Sequence, residues 1–364
     1  MKFGLFYEMF VPSADPEAEA RIVRNTVDQI VHADKHGFDY VWLSEHHFLQ
    51  GFSHMSAPEV IFGAAAYQTD RIRFGFGLAL TPPAYNHPVR VAEKVSMLDC
   101  LSGGRVDLGC GRSTTPAELY GFGLDPDESR GQWSEGLEAV AHLLAEENVE
   151  FDGRYVTIPR RTVVPRPVQK PHPPLWVGGV GPGDAERAAK KGLGMLFFAH
   201  RADYEVLTAS TAAYHENIDK AEPICGMVNN QTAGFVNGLV SYDRDEVRQL
   251  AARKTVEHTF NGSTHRLAGW PAGEPPNSYA HLRSGENAWV NEAIAMDRAT
   301  AEDFMTEGGF VMAGNPDDCA PFLDAFQKSG VDQVIIHMQM GDMPHDRIME
   351  SIEIMGGELI PHYR

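Results

Sequence analysis

Basic charge, paired cysteines and long apolar runs are what this chain lacks. Its 50 Asp and Glu outnumber 31 Lys and Arg, which leaves a formal charge of −19 over 364 residues. Such a surface repels phosphate backbones and anionic membranes, so nucleic acid is excluded as a partner and any anionic ligand must find local positive groups. No apolar run approaches the ~18 residues of a membrane span. The start Met1-Lys2 leads straight into the strand-like Phe3 to Tyr7 without a signal-peptide layout, so no membrane association and a cytoplasmic location are expected. The four cysteines, Cys100, Cys110, Cys225 and Cys319, show no CxxC and no paired spacing, as suits reduced thiols used as small apolar residues. The HExxH and HxH spacings of metal sites and the GxSxG elbow of hydrolases are missing as well, and no metal is expected.

What is present is an alternation. Strand-like runs recur at Phe3 to Phe6, Tyr40 to Leu43, Ile72 to Leu80, Arg105 to Gly109, Leu175 to Gly178, Met195 to Phe198, Ala233 to Val240 and Gln333 to His337. Between them lie apolar residues at helical spacing, such as Val23, Val27, Ile30 and Val31, or Trp133, Leu137, Val140 and Leu144. Eight βα units predict a closed eight-stranded parallel TIM barrel spanning residues 1–364 as one domain, with loop insertions at its C-terminal face. Two segments exceed the repeat. The proline-rich stretch Phe151 to Pro174 reads as an extended excursion with little regular structure. The stretch His258 to Trp289 mixes Gly, Pro, Asn and aromatics and reads as a long loop forming a lid over the catalytic face.

Chemistry-bearing residues gather where strands end. The run Tyr40 to Leu43 breaks into Ser44-Glu45-His46-His47-Phe48, a carboxylate and two imidazoles on what a barrel makes its catalytic side. Neighbours on an extended chain point to opposite faces, so His46 and His47 do not share one metal, and one imidazole is left for chemistry. The fourth strand ends in Gly109-Cys110-Gly111-Arg112, where glycines let a ligand approach and Arg112 adds a charge. The fifth ends in Gly178-Gly179-Val180-Gly181-Pro182-Gly183-Asp184 and runs into a helix expected over Ala185 to Lys191, a ready phosphate cradle. Its GxGxG spacing, with no acidic residue ending a following strand, is not a dinucleotide fingerprint.

An ordered series then becomes visible: Met1-Lys2-Phe3-Gly4, Gly37-Phe38-Asp39, Val41-Trp42-Leu43, Glu45-His46-His47-Phe48, His87-Pro88-Val89-Arg90, Leu98-Asp99, Gly104-Arg105 and Asp127-Glu128-Ser129-Arg130. In that order it resembles the flavin-dependent bacterial luciferase-like monooxygenases over nearly the whole chain. The resemblance implies that His46 matches a catalytic histidine that assists a flavin hydroperoxide, with Glu45 and His47 flanking it. It implies that Arg112 and Arg130 hold the FMN phosphate, that Gly179, Val180, Gly181 and Asp184 lie at that phosphate, and that Gly77 and Leu78 underlie the flavin through a non-proline cis peptide. Asp184 departs from the family, and as a carboxylate it is expected to cap the helix. Gly111 stands where the luciferase subunit has a reactive cysteine, with Cys110 one residue earlier. The implied activity is that of an oxygenase component taking reduced FMN from a separate flavin reductase and using molecular oxygen on a small apolar organic substrate. A deazaflavin-dependent dehydrogenase on the same barrel, or a non-catalytic flavin-binding subunit, is the alternative. The apolar helix Pro58 to Gln68 and its neighbour Val89 to Leu98 suggest a homodimer.

Overall fold

The computed structural model describes residues 1–198, 204–283 and 288–364. The strands are β1 (Lys2–Tyr7), β2 (Tyr40–Leu43), β3 (Arg73–Leu80), β4 (Val106–Gly111), β5 (Val149–Asp152), β6 (Thr157–Arg161), β7 (Leu175–Gly179), β8 (Gly194–Phe197), β9 (Thr232–Val240), β10 (Val311–Gly314) and β11 (Gln333–His337). Eight of them, β1, β2, β3, β4, β7, β8, β9 and β11, pair in parallel, and the β8–β9 pairing closes the barrel. The helices that matter below are α1 (Pro16–Lys35), α2 (Pro58–Ala66), α3 (Pro88–Ser102), α4 (Pro116–Gly121), α5 (Ser129–Ala145), α6 (Pro182–Lys190), α7 (Tyr204–Ile218) and α8 (Arg244–Leu267).

The two-residue period of each strand decides which side chains face inward. On β2, Tyr40 and Trp42 fill the barrel while Val41 and Leu43 join the outer core under the helices. Trp42 meets Trp176 of β7 edge-on at 5.2 Å inside the barrel. Glycine makes the room: a Cβ on Gly75 would lie 2.2 Å from the Trp42 ring, and one on Gly194 2.6 Å from Trp176. Near the C-terminal ends the lining becomes Phe6, Leu196, Phe235, Leu78 and Phe198, an apolar floor for whatever lies above.

Three expectations are corrected. The excursion after β4 is not wholly irregular, because β5 and β6 form an antiparallel hairpin whose Val149 and Ile158 are buried. The stretch from His258 is not a loop at its start: α8 runs to Leu267, capped by Asp243 and burying Val247, Leu250, Ala251, Thr255, Val256 and His258 at helical spacing. Its polar composition hid that stripe. A ninth parallel strand, β10, pairs with the far half of β9 and was too short to register in the sequence. No helix among the described residues is long and apolar enough to cross a membrane.

Candidate active site

β1 and β2 run side by side and end together, so Glu8 follows one strand as Ser44 to His47 follow the other. His46, with 17% of its side chain exposed, lies between two carboxylates. Its Nδ1 is 3.0 Å from Glu118 and its Nε2 3.5 Å from Glu8. Glu118, on α4, is wholly buried and every lone pair is used: one oxygen accepts from His46 Nδ1 and the His47 amide, the other from the Ser113 and Thr115 hydroxyls. A carboxylate satisfied in this way stays ionised although burial opposes it: the His46 charge and the hydrogen bonds from His46, Ser113 and Thr115 hold its pKa below the ordinary carboxylate range. Burial alone would likewise push the His46 imidazole toward neutrality. The charges and hydrogen bonds of Glu118 and Glu8 outweigh it and raise the group to about 10. His46 is therefore a fixed imidazolium at neutral pH, a proton holder and not a free base.

Glu8 serves a second imidazole. His258 of α8 places Nε2 2.8 Å from its other oxygen, and the ligand atoms of Glu8, His258 and His337 converge within 4.8 Å. Burial opposes the charge on Glu8, but His258 and His46 hold its carboxyl well below the usual range. Aromatic rings enclose the group: Phe52 and Phe10 lie 4.9 and 6.2 Å from His258, and Phe6 lies 5.5 Å from His337.

The sequence grouped Glu45, His46 and His47 together, and the structure separates them. Glu45 accepts from the Leu80 amide and Asn86 Nδ2, and His47 Nε2 lies 3.2 Å from it. That pair faces Tyr85 and Phe122, whereas His46 faces Phe52 and Glu8.

The other nominated residues lie around the same mouth. Arg112 is half-buried, donates to Ser129 Oγ at 2.9 Å and to the Ser278 carbonyl at 3.0 Å, and lies 4.2 Å from the centre of the Tyr279 ring. Burial and the nearby Arg130 charge lower the pKa of its guanidinium, with Tyr279 opposing. Among the described residues no carboxylate pairs with Arg112 or Arg130, so two like charges stand together uncompensated, which suits an anionic ligand. The Gly77-Leu78 peptide is cis. The Leu78 side chain spreads across the glycines that were expected to admit a ligand, since a Cβ on Gly109, Gly111 or Gly178 would lie 2.7, 2.7 or 3.0 Å from it.

The expected phosphate cradle differs. α6 begins at Pro182 with Gly181 as its cap, three residues earlier than read, and Asp184 lies inside the first turn. Its carboxylate accepts the Val180 amide at 3.1 Å and pairs with Arg187, so the chain's own anion occupies part of that cradle. Cys110 is fully buried and burial raises its thiol, which keeps it protonated.

Sequence reasoning missed Glu8, Glu118 and His258. Glu8 ends a strand, the signal that selected Glu45. Glu118 is disguised as the fourth residue of Thr115-Pro116-Ala117-Glu118, a helix-start pattern. His258 fell within residues read as loop.

The raised value for His46 fixes a pH dependence. Because the folded group titrates near 10 and the ordinary value is 6.5, its contribution to stability is complete below pH 6.5 and is lost as pH rises through about 10. Glu118→Gln should lower stability near neutral pH by the ~3–5 kcal/mol of a broken buried pair and flatten the decline toward alkaline pH. Urea unfolding across that range checks this, and an unchanged slope would assign the titration to another group.

Known proteins match this chain along its length. The family model described as luciferase-like monooxygenase matches residues 1–333. Monooxygenase RslO1 from Streptomyces bottropensis superposes with a TM-score of 0.80 at 26% identity, covering 100% of both chains. The oxygenase component of the flavin-dependent trigonelline monooxygenase of Acinetobacter baylyi is 23% identical, over 100% of this chain and 96% of that one. The F420-dependent glucose-6-phosphate dehydrogenase of Beutenbergia cavernae is 26% identical over 95% of each. A parallel barrel with an imidazole clasped at its mouth, matched by that model over all but the last 31 of its residues, is an enzyme that belongs to the luciferase-like monooxygenases.

Proposed function

We propose that the protein is the oxygenase component of a two-component monooxygenase, which receives reduced FMN from a separate flavin reductase and oxidises a small apolar organic substrate with molecular oxygen. The observation that carries this reading is the His46 imidazolium, held between Glu118 and Glu8 against an aromatic chamber. Bound reduced FMN supplies two electrons, so that one oxygen atom enters the substrate and the other leaves as water. The chain's part is to deliver protons in a place poor in water. His46 holds one at Nε2, Glu118 fixes the ring through Nδ1, and Phe6, Phe10, Phe52 and Leu78 exclude solvent. Glu45 and His47 set the loop that carries His46 and brace β2 against β3.

The donor set fits the phosphate of FMN at Arg112 and Arg130, where positive charge lacks a partner. It fits less well at Gly179, Val180 and Gly181, where Asp184 already takes an amide. We assign the phosphate to the arginines, and the floor beneath the ring to Gly77 and Leu78. Residues 268–282, whose Trp270 and Tyr279 pack on Leu119 and Leu124, cover the arginine side of the mouth and serve as the lid, and residues 284–287 of the expected lid lie outside the described residues.

The test is the reaction of oxygen with reduced FMN in the presence of the protein. The reading expects the protein to bind reduced FMN and to delay the return of oxidised flavin relative to free FMN. Reoxidation at the free rate, with reduced coenzyme F420 bound in its place, would establish the hydride-transferring alternative. Arg112→Ala should weaken FMN binding by about 1.5–3 kcal/mol and leave riboflavin binding nearly unchanged, because only FMN carries the phosphate. Equal losses would remove Arg112 from the phosphate site.

A second copy of the chain is proposed to cover α2 and α3, whose surface leaves Val60 65%, Met97 59% and Leu101 49% exposed beside Tyr67 at 88% and Val164 at 71%. Sedimentation velocity at micromolar concentration should show a dimer, and a monodisperse monomer would contradict it.

A further inference from the structure

The end of α5 carries two ligand-type side chains one turn apart, His142 in its last turn and Glu146 as its C-cap, and the loop between α7 and β9 lays Cys225 against them. His142 Nδ1 is 2.8 Å from Glu146 Oε1, and Cys225 Sγ is 3.5 Å from that oxygen and 3.9 Å from that nitrogen. We propose that these three side chains form a binding site for a thiophilic divalent cation of the zinc class, with a fourth position open to solvent.

The distances carry the proposal. Zinc bonds sulfur at ~2.3 Å, imidazole nitrogen at ~2.0–2.1 Å and carboxylate oxygen at ~2.0–2.2 Å in a tetrahedron, which sets ligand-to-ligand separations of about 3.3–3.6 Å. The circle through three atoms at the observed separations has a radius of about 2.0 Å, so a point just off their plane satisfies all three bond lengths. The short edge is the hydrogen bond between His142 and Glu146, which the cation replaces. The donor set is one thiolate, one imidazole and one carboxylate, a mixture that selects zinc, cobalt or cadmium over calcium or magnesium.

Access and rigidity agree with such a site. The Glu146 side chain is 54% exposed, so a cation reaches the cluster without movement of the backbone. Cys225 is 8% exposed, and its carbonyl accepts from the buried His172 ring at 2.6 Å, so the backbone that carries the sulfur is held in place. His142 lies 13 residues along α5 from Ser129, about 20 Å from the arginine side of the barrel mouth. The cation would thus clamp the loop before β9 onto α5 and stabilise the barrel wall, separately from the flavin reading. The three residues are distant in sequence and match no metal motif, so inspection of the chain alone gave no metal there.

Untagged protein freed of metal with chelator and titrated with Co²⁺ provides the test. The site predicts one equivalent bound per chain, with a thiolate-to-cobalt charge-transfer band in the near ultraviolet. Cys225→Ser should abolish that band, and His142→Ala should remove stoichiometric binding. Zn²⁺ should raise the melting temperature of the parent and of neither variant. Circular dichroism confirms folding of each variant, and should Cys225→Ser fail to fold, Glu146→Gln takes its place with loss of stoichiometric binding expected. A parent without the band, a band that survives Cys225→Ser, or unchanged affinity in His142→Ala or Glu146→Gln overturns the site.

Discussion

An ionised carboxylate with no exposure to water has to be satisfied completely, and Glu118 is the case on which the catalytic face depends. Its four hydrogen bonds come from the loop after β4, the start of α4 and the loop after β2. Losing one of them would leave part of a buried charge unsatisfied. Glu8 extends the same constraint to the end of β1 and, through His258, to the middle of α8. Two anions and one imidazolium thus fix the relative positions of segments far apart in sequence. Each is costly alone, and together they define one arrangement.

In the proposed enzyme that arrangement would couple proton holding to anion binding. Arg112 and Ser113 are neighbours at the end of β4: one points a guanidinium toward Ser129 and Tyr279, the other gives its hydroxyl to Glu118. Tyr279 donates to the Ser113 carbonyl while its ring faces Arg112, so the covering segment touches both functions. In the proposed enzyme, docking of a flavin phosphate and orientation of His46 would share one short stretch of backbone.

How much of this was legible follows from where each signal lived. The barrel was readable because its strands carry alternating or continuous apolar runs and its helices carry apolar stripes. The mouth was readable at Glu45-His46-His47 and Arg112 because charge interrupts a strand there. The cis bond at Gly77-Leu78 came from the resemblance alone and is present. Pairing was not readable. His47 meets the neighbouring Glu45, but the carboxylate that fixes His46 is Glu118, 72 residues on, which in the sequence looks like a helix cap. Asp184 was read as the cap of a helix at Ala185, although Pro182 offered a first-turn signal three residues earlier. The polar residues of α8 concealed a buried face because Thr, Ser, Gly and His can line a helix stripe without looking apolar.

His46, partly buried between Glu118 and Glu8, is held as a cation at working pH, and its two ring nitrogens report this directly. Nitrogen-15 NMR of histidine-labelled protein, assigned by comparison with His46→Gln, should show both nitrogens protonated at pH 8, with titration only near 10. A neutral imidazole at pH 8, with one nitrogen bare and a titration near the ordinary 6.5, would contradict the account.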